Sequence, residues 1–141
     1  MRLESFCFIT FLAVVALGTT AVAQDFTPYP GSKADESAGR QASAATSGIQ
    51  CEVYTSGDSF DKIYAFYKGL YREVRTPFPS QKLPNGEELR WAFFILDAGK
   101  DLSHSHYWMK IQRPYIGTIG DGDAEFKDIR DVSAIQTVRK R

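Results

Sequence analysis

The segment from Asp58 to Arg72 carries the clearest helical pattern in the chain and constrains the fold most. Asp58 stands where an N-terminal cap would stand, and Lys68 and Arg72 lie in the last turn, where cations complement the helix dipole. An amphipathic helix has to bury its apolar face, so the rest of the chain must supply a surface for it. The predicted apolar face consists of Phe60, Ile63, Tyr64, Tyr67, Leu70 and Tyr71.

Strand patterns on both sides of this helix predict a sheet. Apolar and polar residues alternate from Ile49 to Ser56 and from His106 to Gln112, as in half-buried strands. The segment from Glu88 to Leu96 is apolar on both faces, which predicts a central strand. A short extended piece from Tyr115 to Ile119 and a last strand from about Val132 to Val138 follow.

This order of elements predicts an α+β domain over residues 49–141. One amphipathic helix packs on a mostly antiparallel sheet of about four strands, in a βαβββ-like order. The proline-rich segment from Arg75 to Gly86 and the turn from Gly120 to Asp123 are predicted to be long connections between strands.

The N-terminus predicts export. Arg2 precedes an apolar run from Phe6 to Gly18, and the run leads to a small-x-small pattern that ends at Ala23. We therefore predict a signal peptide over residues 1–23, with cleavage between Ala23 and Gln24. The mature protein would reach the periplasm or the extracellular space.

Two other interpretations of this segment, an uncleaved membrane anchor and a lipoprotein signal, fit the sequence less well. An uncleaved transmembrane anchor needs about 20 apolar residues, which is longer than the run here. A lipoprotein needs its acylated cysteine at the end of the apolar run, but Cys7 lies at the start.

Residues 24–48 are rich in Ala, Ser and Gly, so they predict a turn followed by either a marginal helix or a flexible linker. Tyr29 to Ser32, with its central Pro-Gly, suits a type II turn. Ser32 followed by Asp35 resembles a capping box, while Gly39 and the serines weaken any helix. The helix would carry a stripe of small residues made of Ala34, Ala38, Ala42 and Ala45.

The charge balance excludes one class of partner. Lys plus Arg and Asp plus Glu each number 17 in the chain. A balanced chain lacks the basic surface of a nucleic-acid binder, so we expect no nucleic-acid partner. We also expect no membrane partner after signal cleavage, which leaves a small ligand or another protein as the partner.

Cys51 is the one cysteine that remains once Cys7 leaves with the signal peptide. On its strand it shares a face with Val53 and Thr55, and that apolar side is the expected inward face. We therefore predict a buried free thiol that packs as a small hydrophobe. A reactive, ligating or bridged thiol is the alternative.

The histidine pair His104 and His106 is the best metal-ligand candidate in the sequence. Residues two apart on a strand point to one face, as two ligands of a metal would. No third ligand lies nearby in sequence, so we predict exposed polar residues here and no metal or other cofactor. A dyad of Cys51 with either histidine is left open.

Other motifs for chemistry are weak or absent. Asp121, Asp123 and Glu125 have the spacing of the first half of a calcium loop, but Phe126 and Val132 stand where its glycine and closing glutamate belong. We interpret them as a solvated acidic turn. The chain has no G-x-S-x-G elbow, Walker loop or dinucleotide fingerprint, so we predict no catalytic residue.

Four short motifs give the mature chain a resemblance to a family of uncharacterised exported bacterial proteins. The family's early Y-P-G corresponds to Tyr29 to Gly31, and its T-S-D strand end to the segment from Thr55 to Asp58. Its F-Y-K helix motif corresponds to Phe66 to Lys68, and its late I-Q-R-P-Y to Ile111 to Tyr115. The resemblance implies export and a bacterial source, and it assigns no functional residue.

The segment from Cys51 to Leu70 is also similar to the first half of a glyoxalase-like, or vicinal oxygen chelate, module. That resemblance implies the βαβββ order and a metal ligand, His or Glu, on the first strand. Cys51 occupies the corresponding place here, and Glu52 is predicted to face the other way. Such enzymes pair two modules, whereas this chain has room for one.

From these observations we expect an exported, non-catalytic binding or accessory module. A glyoxalase-like, metal-dependent enzyme completed by dimerisation is the alternative.

Overall fold

The structure is a computed structural model that describes residues 25–119 and 126–141. The predicted signal peptide with its Ala23–Gln24 cleavage site, the turn at Gly120 and the calcium-like spacing of Asp121, Asp123 and Glu125 lie outside the described residues. The described elements are β1 (Lys33–Ala34), α1 (Glu36–Ala45), β2 (Ile49–Ser56), α2 (Phe60–Lys68), β3 (Arg72–Val74), β4 (Ser80–Lys82), β5 (Glu88–Ile95), β6 (Tyr107–Arg113), β7 (Tyr115–Ile119), β8 (Phe126–Arg130) and β9 (Ser133–Lys140).

The main sheet is antiparallel and has the strand order β1-β2-β9-β6-β5-β3, with β4 also paired to β5. Strands β7 and β8 pair in a second, two-stranded sheet. The α+β class and the antiparallel sheet are confirmed. The predicted size of about four strands is wrong, because β1, β3 and β4 are edge strands of two or three residues, too short to show an alternating pattern.

Helix α2 packs on β5 and β6 and covers one face of the sheet. Its buried residues Phe60, Ile63 and Tyr67 meet the inward side chains of the strands in a single cluster. Burial of this apolar surface is the main term that stabilises the fold. The strand and loop residues of the cluster are Tyr29, Tyr71, Ala92, Phe94, Leu96, Tyr107, Met109, Ile111 and Ile135.

The ends of α2 differ from the prediction. Ser59, not Asp58, is the N-cap, because its hydroxyl accepts a hydrogen bond from the Lys62 amide. The helix ends at Lys68, so Leu70 lies outside it and is 43% exposed. Arg72 begins strand β3, where its guanidinium donates to the carbonyls of Gly99 and Lys100.

Asp58 instead connects residues of the sequence motifs, at a place that we call the Asp58 corner. Tyr29 Oη donates to Asp58 Oδ2 at 2.7 Å, and Lys62 Nζ lies 3.2 Å from the same oxygen. The Asp58 carbonyl accepts from Arg113 Nη1 at 3.0 Å and from Ser133 Oγ at 2.7 Å. The Y-P-G, T-S-D and R-P-Y motifs therefore tie the N-terminal segment, the start of α2 and the end of β6 together.

Residues 25–29 lie along α2 and contact the side chains of Tyr67 and Tyr71. Phe26 packs between the rings of Tyr54 and Tyr67, at 5.3 and 6.2 Å between centroids. Tyr67 Oη donates to the Thr27 carbonyl, and Tyr71 Oη accepts from the Thr27 amide and donates to the Asp25 carbonyl. The buried tyrosine hydroxyls are thus satisfied by backbone groups of this segment.

Helix α1 forms where the sequence left a choice between a helix and a linker, and its small residues explain why. Asp35 caps it by accepting from the Ala38 amide at 2.9 Å. A Cβ at Gly39 would lie 3.3 Å from the Cys51 carbonyl oxygen, so glycine lets the helix approach β2 closely. Ser43 Oγ accepts from the Cys51 amide at 2.8 Å, which pairs this donor at the edge of β2. The hydroxyl of Ser43 lies 2.8 Å from the Gly39 carbonyl and 3.3 Å from the Cys51 carbonyl.

The loop before β6 is organised by Asp97. Its carboxylate accepts from Gly99 N, Ser105 Oγ, His106 N and Tyr107 N at 2.6 to 3.0 Å. Burial pushes the pKa of Asp97 upward, but these hydrogen bonds outweigh it and the pKa is lowered overall. The network fixes the position at which β6 begins.

We expect Gly99→Ala to reduce the free energy of unfolding by about 2 kcal/mol or more. A Cβ at position 99 would lie 2.7 Å from Ser105 Cα and 2.9 Å from Asp97 Oδ1, inside the Asp97 network. Gly57→Ala is the matched control, because nothing lies within 4 Å of its Cβ position. Urea denaturation of both variants measures the difference, and equal stabilities would contradict the packing described for this loop.

The hydrogen bond from Tyr29 lowers the pKa of Asp58 most, and the hydrogen bond from Lys62 lowers it further. Because the folded-state pKa is the lower one, this contribution is present above the unfolded-state pKa and is lost as the pH falls through the folded-state pKa. We therefore expect the stability lost in Tyr29→Phe to be largest near neutral pH and to shrink in acid. In Tyr71→Phe the loss should not follow the Asp58 titration, since Tyr71 Oη bonds backbone groups. Parallel losses in both variants across this range would contradict the assignment.

Candidate functional site

The face of the sheet opposite α2 carries the candidate site. Cross-strand pairing sets three rows of three side chains on β9, β6 and β5, with Lys110 at the centre. We call these nine residues the lysine face. Its rows are Ala134, Gln112 and Trp91; Gln136, Lys110 and Phe93; and Val138, Trp108 and Ile95.

Lys110 is half-buried at the centre of this face, with Phe93 on one neighbouring strand and Gln136 on the other. Its Nζ makes no hydrogen bond or ion pair with the described residues. Burial lowers the pKa of Lys110, while the Cys51 thiol acts weakly in the opposite direction. An ammonium held in such a place without a carboxylate is costly for the folded protein.

Trp108, two residues earlier on β6, adds a second unsatisfied donor. Its indole Nε1 is buried and has no hydrogen-bond partner among the described residues. Its ring packs against Phe93 at 5.9 Å between centroids. Buried donors in native proteins are nearly always paired, so an orphan beside an unpaired lysine needs an explanation.

Cys51 lies at the β2 side of the lysine face. Gln136 Nε2 lies 3.5 Å from Cys51 Sγ, and the thiol is 6% exposed. The predicted burial of this free cysteine is confirmed, as is its shared face with Val53. That face points away from the α2 cluster, since Tyr54, its neighbour in sequence, packs against the cluster instead.

Two of the clefts elsewhere in the described structure each contain an ion pair. The first, of about 980 Å³, runs between α1 and β2, and the Arg40–Glu36 ion pair lies at its edge. The second, of about 510 Å³, lies between α2, β4 and β5, with an Arg90–Asp61 ion pair at 2.9 Å. The cations of these pairs, Arg40 and Arg90, therefore have carboxylate partners, whereas Lys110 has none among the described residues.

His104 and His106, the predicted metal-ligand candidates, lie exposed at the junction of the loop with β6. His104 Nδ1 is 2.7 Å from Asp101 Oδ1, whereas the backbone of His106 donates to Asp97. Across residues 25–119 and 126–141, no group of three or more His, Cys, Asp or Glu side chains is placed to hold a metal ion.

Asp101, Ser103 and His104 form a local cluster, but not a nucleophile relay. Ser103 Oγ donates to Asp101 Oδ1 at 2.7 Å and lies 3.0 Å from His104 Nδ1, so carboxylate and hydroxyl meet the same ring nitrogen. A catalytic triad instead has them on opposite nitrogens of the imidazole. Hydrogen bonds from Ser103 and His104 lower the pKa of Asp101, and the cluster stabilises the loop.

Neither Lys110 nor Trp108 is recognisable as a site residue from the sequence alone. Both lie on the polar side of an alternating strand, where a lysine is ordinary and usually solvated. One signal was present: Trp108 shares that side with Lys110, and Trp91 and Phe93 are on the next strand. Their convergence depends on the β5–β6 register, which the sequence does not state.

None of the helices in the described part of the chain is both long and apolar enough to cross a membrane. No family model, no curated protein and no solved structure matches this chain.

Proposed function

We propose that this chain is an exported, non-catalytic binding module whose ligand occupies the lysine face. The observation that carries the proposal is the Lys110 ammonium, half-buried among aromatic side chains without a counter-ion among the described residues. Proteins retain such unfavourable groups mainly where a ligand or a reaction uses them.

Export is part of the proposal and rests on the sequence of residues 1–23 and on the resemblance to exported bacterial proteins. The motifs that carry this resemblance have structural tasks at the Asp58 corner and along α2. These motifs therefore support a shared fold, and the proposed ligand-binding residues lie elsewhere, on the lysine face.

Binding without catalysis is favoured over the glyoxalase-like alternative by the residues of β2. The position that corresponds to that superfamily's metal ligand holds Cys51, which is buried and contacts Gln136. The neighbouring Glu52 is exposed and accepts from Tyr54 Oη at 3.4 Å. Neither arrangement provides a metal-ligand set on this strand.

The proposal predicts that Lys110→Met raises the free energy of unfolding by about 1 kcal/mol. Methionine keeps the length and apolar stem of the side chain and removes a charge that is costly to bury. Lys62→Met is the control, because Lys62 is paired with Asp58 and its loss should leave stability unchanged or lower it. A clear loss of stability in Lys110→Met would mean that the lysine supports the fold, which contradicts its assignment to a ligand.

A direct test uses two-dimensional NMR of the mature chain titrated with aromatic fragments, some neutral and some charged. We expect the shift changes to cluster on β5, β6 and β9 around Lys110. Changes confined to the α1–β2 cleft would place the site elsewhere and overturn the proposal.

A further inference from the structure

We propose that the ligand of the lysine face is a small aromatic carboxylate, with its carboxylate at Lys110 Nζ and its ring against Phe93 and Trp108. This inference rests on the proposed function and specifies the chemical class of the ligand.

The donors of the face favour an anionic ligand. Lys110 Nζ has no acceptor among the described residues. An ammonium can donate to both oxygens of a carboxylate. Trp108 Nε1 is buried and closed to a ligand that docks from solvent. One N–H of Gln136 Nε2 is directed to Cys51 Sγ, and Gln112 Nε2 donates to the Pro114 carbonyl.

The net charge of the face favours a monoanion. The lysine face contains one cationic side chain and no Asp or Glu. A monoanion neutralises one ammonium, and this environment strengthens the resulting charge-assisted hydrogen bond. A phosphate dianion would need further cations or a cluster of free backbone amides. The nine residues of the face include no cation besides Lys110.

The side chains around Lys110 form an apolar, largely aromatic surface. Phe93 and Trp108 pack together at 5.9 Å, and Trp91 lies one row along on the same strand as Phe93. Three strands span about 10 Å, and three rows along them span about 13 Å. This area matches one or two fused aromatic rings, whose stacking on Phe93 and Trp108 adds to the affinity.

The test compares 2-naphthoate with 2-naphthamide, which have the same ring system and differ in charge. We expect the wild-type protein to bind the carboxylate about tenfold more tightly, as a charge-assisted hydrogen bond implies. The side-chain resonances of Lys110 should shift with the carboxylate and much less with the amide.

Substitutions at Lys110 separate charge from shape. Lys110→Met should bind both compounds with similar affinity, while Lys110→Arg should keep the preference for the carboxylate. Because the comparison within the wild-type protein needs no variant, the inference can be tested even if a variant fails to fold.

The outcomes distinguish the inference from the proposed function. Equal binding of both compounds at the lysine face would overturn the carboxylate inference and leave the binding module standing. If neither compound changes a resonance of the lysine face, both are contradicted. A carboxylate preference that persists in Lys110→Met would also overturn the inference, because the carboxylate of the ligand would then bind to another residue.

Discussion

The alternation of side chains along strand β6 determines which residues lie on each face of the main sheet. Tyr107, Met109 and Ile111 point to the cluster beneath α2, and Trp108, Lys110 and Gln112 point to the opposite face. Because side chains alternate strictly, a register shift of one residue would place Lys110 in the hydrophobic core and expose the core residues. The core therefore fixes the lysine face, and the Asp97 network fixes the core by defining where β6 begins.

The elements predicted well are those whose pattern is long enough to read. Strand β2 has the predicted bounds, Ile49 to Ser56, and β5 ends within one residue of its prediction. The short strands β3 and β4 were missed, since they form by pairing with β5 and not from a pattern of their own. The cap of α2 was misplaced by one residue because Asp58 and Ser59 are both good caps, and Tyr29 engages Asp58 from a distant part of the chain.

The segment before β2 shows why composition alone left a choice between a helix and a linker. Small and hydroxyl residues weaken an isolated helix, yet here they permit contact with a strand edge. Gly39 allows close approach to Cys51, and Ser43 Oγ accepts a hydrogen bond from the amide of that residue. The same limit applies to the candidate site: the sequence shows a lysine among aromatic residues, and only the three-dimensional structure shows that none of the described residues is its counter-ion.

The central claim is that Lys110 is held on the lysine face as an ammonium without a counter-ion in the part of the chain that the structure describes. Its pKa, measured by NMR titration of labelled lysine side chains in the ligand-free protein, tests this claim most directly. The account predicts a value below the ordinary 10.5 for Lys110 and one above it for Lys62, which is paired with Asp58. A Lys110 pKa at or above 10.5 would show a solvated or paired lysine and would contradict the account.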